Sequence, residues 1–380
     1  MIKIPFCDLA KLNRPMMAEI EQALLRVARS GRYIGGTEVS AFEEKLCNLT
    51  GVCHAVGVGN GLDALKLVLR GLVALGRLNR GDGVIVAANT YIASMLAIED
   101  AGLVPVPVDP DRRTMLLDGA GVSGCHVKNA KAVMPVHLYG RAAWDAGLVR
   151  AIEERGLLVI EDNAQALGAR TDIAGLNGLH RMTGALGDAG ALSFYPTKNV
   201  GALGDAGAVL TDDAELASAV RSLSNYGSDR RYHNVHSGGC NSRLDPMQAA
   251  VLGVKLGYVD VISRRRRDVA ASYDRMIEND LIEKPDMPEY GESHVWHQYV
   301  IKVPGCDARD AFRKHMHELG IETDVHYAVP PHRQPCYEKR QWGDFPGTCE
   351  IADRVVSLPV ACVSSDEAEY VAEAVNCWRM

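Results

Sequence analysis

No stretch of this sequence is long and apolar enough to cross a bilayer. The longest uncharged, apolar-looking run, residues 84–98, falls short of the roughly 18–20 residues a span needs, and it carries Asn89, Thr90, Tyr91 and Ser94. The first residues, MIKIPFCDLAKLNR, are interrupted by Lys3, Pro5, Asp8 and Lys11 and so lack the apolar core of a secretory signal. A cytoplasmic protein without a membrane segment is expected. No C-x-x-C pair occurs either: the ten cysteines are scattered singly, which reads as reduced thiols and not as a disulfide framework. An excess of positive charge is also missing. With 41 basic against 48 acidic residues the net charge is −7, which gives no field of the kind a nucleic-acid backbone selects. Neither internal repeats nor low-complexity tracts are found.

What is present is a regular alternation. Short apolar, β-branched runs recur at 55–58, 84–87, 104–108, 132–136, 157–161, 191–194 and 208–210. Each is apolar on both faces, as in a strand covered on both sides. Helical periodicity separates them, clearest at 61–75, where Leu62, Leu65, Leu69 and Leu72 repeat at three and four, and also at 144–155 and 213–225. The fold class is therefore α/β: a large domain over 1–250 with a mainly parallel seven-stranded sheet, helices on both faces. A long helical stretch starts at Pro246 and runs through Arg264–Arg267. Beyond it, 296–303 alternates like a strand, 307–319 reads as a helix ended by Gly320, and 327–346 reads as an ordered loop. A smaller α+β domain is expected over 251–380.

Three groups of residues carry chemistry. In Val58-Gly59-Asn60-Gly61-Leu62-Asp63, a strand runs through two glycines into a helix, which bares N–H groups to an anion at the positive end of the helix dipole. Alone, the same text is explained as well by a tight turn capped by Asn60. In Ile160-Glu161-Asp162-Asn163-Ala164-Gln165, an apolar strand ends in an acid with an amide three residues on, a placement that faces the crevice of an open sheet or simply caps a helix. In Ser193-Phe194-Tyr195-Pro196-Thr197-Lys198, a lysine sits in a Gly-rich, nearly uncharged loop, where lost hydration weakens its preference for the ammonium form. Together, a phosphate cradle, an acid at a strand end and a lysine beyond the next strand are what pyridoxal 5'-phosphate requires.

The motifs Gly59-x-Gly61-x-Asp63-Ala64-Leu65, Asn89-Thr90-Tyr91-x-Ala93, His137-Leu138-Tyr139-Gly140, Glu161-Asp162-x-Ala164-Gln165-Ala166, Ser193-Phe194-Tyr195-Pro196-Thr197-Lys198-Asn199 and Asn241-Ser242-Arg243-Leu244-Asp245 follow one another in this order. In these the chain resembles the DegT/StrS-type sugar aminotransferases, fold type I pyridoxal-phosphate enzymes, over nearly its whole length. The resemblance implies that Lys198 binds the cofactor aldehyde and Asp162 pairs with the ring nitrogen. Gln165 would lie on the phenolic oxygen side, Tyr91 would stack on the ring, and Gly61, Leu62 and Ser193 would hold the phosphate. It further implies a homodimer in which Asn241 reaches the neighbouring subunit's site. Leu62 stands where many relatives have threonine, so anchoring there falls to backbone N–H groups; Asn163 and Arg141 depart from a common alanine and glutamine without removing a catalytic group. The lysine itself separates the chain from related dehydratases that carry histidine there.

Within the family, Gly59-Asn60-Gly61-Leu62-Asp63-Ala64-Leu65, Asn89-Thr90-Tyr91-Ile92-Ala93 and His326-Tyr327-x-x-Pro330-Pro331-His332 look most like the branch acting on 3-keto-6-deoxyhexoses carried on dTDP, with L-glutamate as donor. Tyr33, His326, Tyr327 and His332 are the candidate substrate contacts, a packed, hydrogen-bonded side chain being the alternative for each histidine. A 4-keto sugar nucleotide or a keto-cyclitol is the alternative acceptor, and a cofactor-binding sensor is the alternative of another class. The sensor has no need of Lys198, Asp162 and Gln165 together. The histidine pairs at 233/236, 294/297 and 315/317 lack partners at zinc-site spacing, so no metal is expected, and Arg264–Arg267 reads as a solvated or subunit-facing segment.

Overall fold

A computed structural model describes residues 4–380. Its centre is a seven-stranded sheet of β1 (His54–Val58), β2 (Gly83–Ala87), β3 (Val104–Val108), β4 (Ala130–Met134), β5 (Leu158–Asp162), β6 (Ala189–Ser193) and β7 (Gly207–Thr211). The spatial order is β1-β7-β6-β5-β4-β2-β3. Five strands run parallel side by side from β3 to β6, and β7 alone is antiparallel to both of its neighbours. The seven apolar runs of the sequence thus become the seven strands. Two hydrophobic cores flank the sheet, one built on the Gly61–Ala74 helix and the other on Trp144, Leu148 and Ile152. Burial on both faces is what makes these strands uniformly apolar.

The helical stretch after Pro246 is not continuous. It breaks into Pro246–Lys255 and Val259–Met276 around a 3-10 turn at Leu256–Tyr258. Gly257, a poor helix former, lies in that turn, and the Lys255 ammonium points inward to the Gly201 carbonyl. The break changes the packing partner. The first helix lies on Met17–Ser30 and Thr37–Thr50, and the second on Ser365–Cys377. A separate core follows, in which Tyr299, Ile301, Phe312, Val356, Leu358 and Val371 pack around the two-stranded antiparallel sheet Tyr299–Lys302 with Val355–Leu358. Ile4 belongs to this core.

The strand expected over 296–303 begins only at Tyr299. Trp296 adopts a positive φ of 48° and stacks on His294 at 3.8 Å. Meanwhile Val295 N–H and Gln298 N–H donate to the carbonyls of Gly140 and Tyr139. Local pairing with that loop replaces the sheet ladder. Arg266 also departs from the solvated reading of its arginine run: it is 1 % exposed and donates to the carbonyls of Trp296 and His297. Fixing residues 294–298 in this way matters because His297 and Gln298 border the cavity described next.

Candidate active site

A cavity of about 550 Å³ opens where the carboxyl ends of β1, β2, β4, β5 and β6 meet, the place an open α/β sheet offers to a ligand. Gly61, Leu62, Tyr91, Asp162, Gln165, Ser193 and Lys198 all line it, as do His326 and Tyr327 from the C-terminal third of the chain. Three other candidates do not. Tyr33 is exposed and donates its hydroxyl to the Ala28 carbonyl. His332 packs on Phe345, with Nε2 3.6 Å from Cys349 Sγ. Asn241 bridges to Asn225 at the surface, next to Ser242.

The anion cradle is built by the start of the Gly61–Ala74 helix. Asn60 Oδ1 accepts from Asp63 N–H at 2.9 Å, and the Asn60 carbonyl accepts from Ala64 N–H. Among the described residues nothing accepts from the amides of Gly61 and Leu62, the first two residues of the helix, both of which line the cavity. The Leu62 side chain packs partly against the core. A Cβ on Gly61 would stand 2.5 Å from Ser193 Cβ, so only glycine lets the two amides and the Ser193 hydroxyl converge. Ser242 buttresses the cradle from behind, its Oγ accepting from Gly59 N–H and donating to Asp63 Oδ2. Gly61→Ala is accordingly expected to weaken pyridoxal phosphate binding by about 10–100-fold, the loss of one charge-assisted hydrogen bond at roughly 1.5–3 kcal/mol. A spectral titration of the variant measures it, and an unchanged Kd would remove the cradle from the site.

Asp162 ends β5 and is nearly buried. Its Oδ2 accepts from Ser94 Oγ at 2.8 Å and its Oδ1 from Ala164 N–H at 3.2 Å. Directly behind it, Glu161 takes the amides of Gly184, Leu186 and Gly187, together with His137 Nε2 at 2.8 Å. Because His137 Nδ1 accepts from Ala143 N–H, the ring proton lies on Nε2. This fully satisfied buried network fixes the end of β5. Gln165 is oriented just as firmly: Tyr139 N–H donates to Oε1 at 2.6 Å, and Nε2 donates to the Tyr327 hydroxyl at 3.0 Å. The rings of Tyr91 and Tyr327 lie 5.2 Å apart.

Lys198 follows β6 in a loop held by its own backbone, with Lys198 N–H on the Tyr195 carbonyl and Ala202 N–H on the Phe194 carbonyl. Burial pushes its ammonium down to about 8, and the charge of Asp162 works in the opposite direction. The neutral amine, the form that adds to an aldehyde, therefore becomes the major species above about pH 8. Uptake of pyridoxal phosphate by the cofactor-free protein is expected to accelerate up to about pH 8 and level off above it. A stopped-flow pH profile checks this, and a rate still climbing toward pH 10 would contradict it.

Neighbouring histidines stay neutral. His326 is pushed down to about 4 by burial, with Asp324 opposing and Lys198 adding to the shift. His297 is held well below its usual value by burial, then by the charges of Lys198 and Arg266. Asn199 Nδ2 donates to the Val295 carbonyl, which turns its Oδ1 toward His297 Nδ1. Ser94, Thr90, His137, His297 and Asn199 were not marked as site residues by the sequence. The Thr90 hydroxyl falls inside the Asn89-Thr90-Tyr91-x-Ala93 motif and Ser94 directly follows it, so a polar residue on the first turn after a strand is the available signal.

An amine of lowered basicity, a buried carboxylate and a bared pair of amides beside a serine suit a phosphorylated pyridine aldehyde in size, charge and number of donors. This is the arrangement of a pyridoxal-phosphate transferase of fold type I. A model of the DegT/DnrJ/EryC1/StrS aminotransferase family matches residues 15–376, and the chain belongs to that family. It is 45 % identical over 374 residues to the dTDP-3-amino-3,6-dideoxy-alpha-D-galactopyranose transaminase of Aneurinibacillus thermoaerophilus, covering 98 % of this chain and 99 % of the relative. It is 40 % identical to the dTDP-3-amino-3,4,6-trideoxy-alpha-D-glucose transaminase of Streptomyces venezuelae, over 99 % of this chain and 96 % of that protein. The solved structure of S. venezuelae DesV in complex with a ketimine intermediate superposes with a TM-score of 0.90 at 39 % identity, covering 99 % of this chain and 98 % of the other. Among the described residues no helix is long and apolar enough to cross a membrane.

Proposed function

We propose that this aminotransferase uses pyridoxal 5'-phosphate to move the amino group of L-glutamate onto the C3 ketone of a dTDP-linked 3-keto-6-deoxyhexose. The observation that carries the reading is the convergence of Lys198, Asp162, Gln165 and the Gly61–Leu62–Ser193 cradle in one cavity. The names of the relatives, both transaminases of 3-amino sugars on dTDP, support the acceptor. Glutamate and ketone enter; 2-oxoglutarate and the sugar amine leave.

When bound, the cofactor supplies the aldehyde that takes up an amine and the conjugated ring that delocalises the electrons left by the departing α-proton. Lys198 Nζ holds that aldehyde between turnovers. Released by the donor's amine, it would be free as a base to take the α-proton and to deliver it to the former aldehyde carbon, on the far side of the shared nitrogen. The Asp162 carboxylate would pair with the ring nitrogen and keep that nitrogen protonated, while Gln165 would bind at the phenolic oxygen side and Tyr91 would cover the ring. Tyr327 and His326, which line the cavity, serve the sugar nucleotide, whereas Tyr33 and His332 do not border it in their own chain. Asn241 lies outside its own chain's cavity, which accords with a cytoplasmic homodimer in which it reaches the partner's phosphate.

We divide the chain at 1–250 and 251–380. The separate core behind the Val259–Met276 helix supports this, although the last turn of the Pro246–Lys255 helix stays with the large unit. Incubation with L-glutamate and either a 3-keto or a 4-keto dTDP sugar decides the acceptor. An amine formed from the 3-keto compound is expected, and amination of the 4-keto compound alone would sink the assignment.

A further inference from the structure

The carboxylate of Asp162 is held by a hydroxyl relay that touches none of the reacting atoms. Ser94 Oγ lies 2.8 Å from Asp162 Oδ2, and Thr90 Oγ1 lies 2.8 Å from Ser94 Oγ. An ionised carboxylate only accepts, so Ser94 donates to it. The Ser94 oxygen is then left as an acceptor, and Thr90 donates to Ser94. The relay is therefore directional. Ser94 is 0 % exposed and Thr90 1 %, so no bulk water competes for either bond. Both hydroxyls are presented by the strand-to-helix turn after β2, with Ser94 in the first turn of Ile92–Asp100.

A short carboxylate side chain at a strand end swings readily about its last bond, and two forces bear on this one. Lys198 attracts it across the cavity, as the mutual charge interaction of the two groups records. On the other side, Ser94 holds Oδ2 and Ala164 N–H holds Oδ1. With both oxygens tethered, the carboxylate of Asp162, a residue that lines the cavity, is held in one orientation. The backbone amide is the longer of the two contacts and is fixed by the chain, so the adjustable tether is the serine. The sheet network of Glu161 and His137 fixes where the Asp162 backbone lies, but not which way its carboxylate turns.

We propose that Ser94, itself oriented by Thr90, is the positioning residue that turns the Asp162 carboxylate toward the cofactor's ring nitrogen. This inference rests on the pyridoxal-phosphate reading and deepens it. Removing the hydroxyl leaves Asp162 free to swing toward Lys198, while the phosphate cradle, built on Gly61, Leu62 and Ser193, is untouched.

The test uses holoenzyme of the wild type, Ser94→Ala, Ser94→Thr, Asp162→Asn and the Ser94→Ala/Asp162→Asn double variant. Three quantities are read: the Kd for pyridoxal phosphate, the pH dependence of the bound cofactor's visible band, and the single-turnover rate at which L-glutamate bleaches that band. Ser94→Ala is expected to bind cofactor within about fivefold of wild type, to shift the pH profile of the band, and to bleach about 10–100-fold more slowly, the usual consequence of a reacting group displaced by about an ångström. Ser94→Thr, which keeps the hydroxyl, restores the rate to within about threefold. In the Asp162→Asn background, Ser94→Ala adds less than about threefold, because the group it positions is gone. Equal slowing in both backgrounds, or a Ser94→Ala protein whose band and bleaching match wild type, overturns the proposal while leaving the cofactor reading intact. A wild-type protein that develops no visible band with pyridoxal phosphate overturns both.

Discussion

Lys198→Ala is expected to lower the rate of the glutamate half-reaction by at least about 10³-fold, because one side chain supplies both the covalent hold on the cofactor and the base for the α-proton. The variant is expected to retain phosphate binding through the Gly61 and Leu62 amides and Ser193, so pyridoxal phosphate still associates but is removed by gel filtration. The fold is expected to survive, since the lysine ammonium is a liability to the cofactor-free protein. Its folded-state pKa of about 8 lies below the ordinary lysine value of 10.5. Between those values the unfolded chain holds a proton that the folded chain does not, so stability rises with pH across that window and the penalty is full below pH 8. At pH 7 the cofactor-free alanine variant should therefore resist urea at least as well as wild type. A variant that turns over glutamate within tenfold of wild type would remove Lys198 from the reaction.

Asp162→Asn is expected to have the second largest effect. Asparagine keeps the shape and the contact with Ser94 but removes the charge facing the ring nitrogen. Charge stabilisation supplied by a preorganised group in a dry site is worth about 10²–10³-fold. The variant should therefore bind the cofactor through an intact cradle, show a visible band, and bleach it with glutamate about 10²–10³-fold more slowly than wild type. Stopped-flow single turnover measures this, and a rate within threefold would assign the ring nitrogen to some other partner.

Much of this was legible in the chain because its signals are local. The seven strands announce themselves by being apolar on both faces, and Gly61 by the turn it enables between β1 and a helix. Lys198 stands out in a Gly-rich loop with no other positive charge, Asp162 at the end of an apolar strand, and Gln165 between two alanines. Where reading failed, the cause is a partner distant in sequence. Ser94 and Asp162 are 68 residues apart, and His297 and Asn199 are 98 apart. Periodicity tells which face a residue lies on, not what waits across the cavity. The same limit explains the strand placed at 296–303, where the hydrogen bonds of Val295 and Gln298 go to the loop at Tyr139–Gly140 and the ladder starts late. It also explains Arg266, whose carbonyl acceptors at Trp296 and His297 are invisible in a run of four arginines. Tyr33 and His332, which motif alone suggests, do not border the cavity of their own chain, and Asn241, expected in the neighbouring subunit's site, lies outside it as well.

The most direct test of the central claim is the absorbance spectrum of the purified protein loaded with pyridoxal phosphate, taken before and after L-glutamate, with 2-oxoglutarate quantified in the same sample. A visible band in wild type that glutamate bleaches, with one 2-oxoglutarate formed per site, is expected. A protein that gains no visible band from the cofactor, or whose band persists in glutamate with no 2-oxoglutarate released, would contradict the assignment of this cavity to pyridoxal-phosphate transamination.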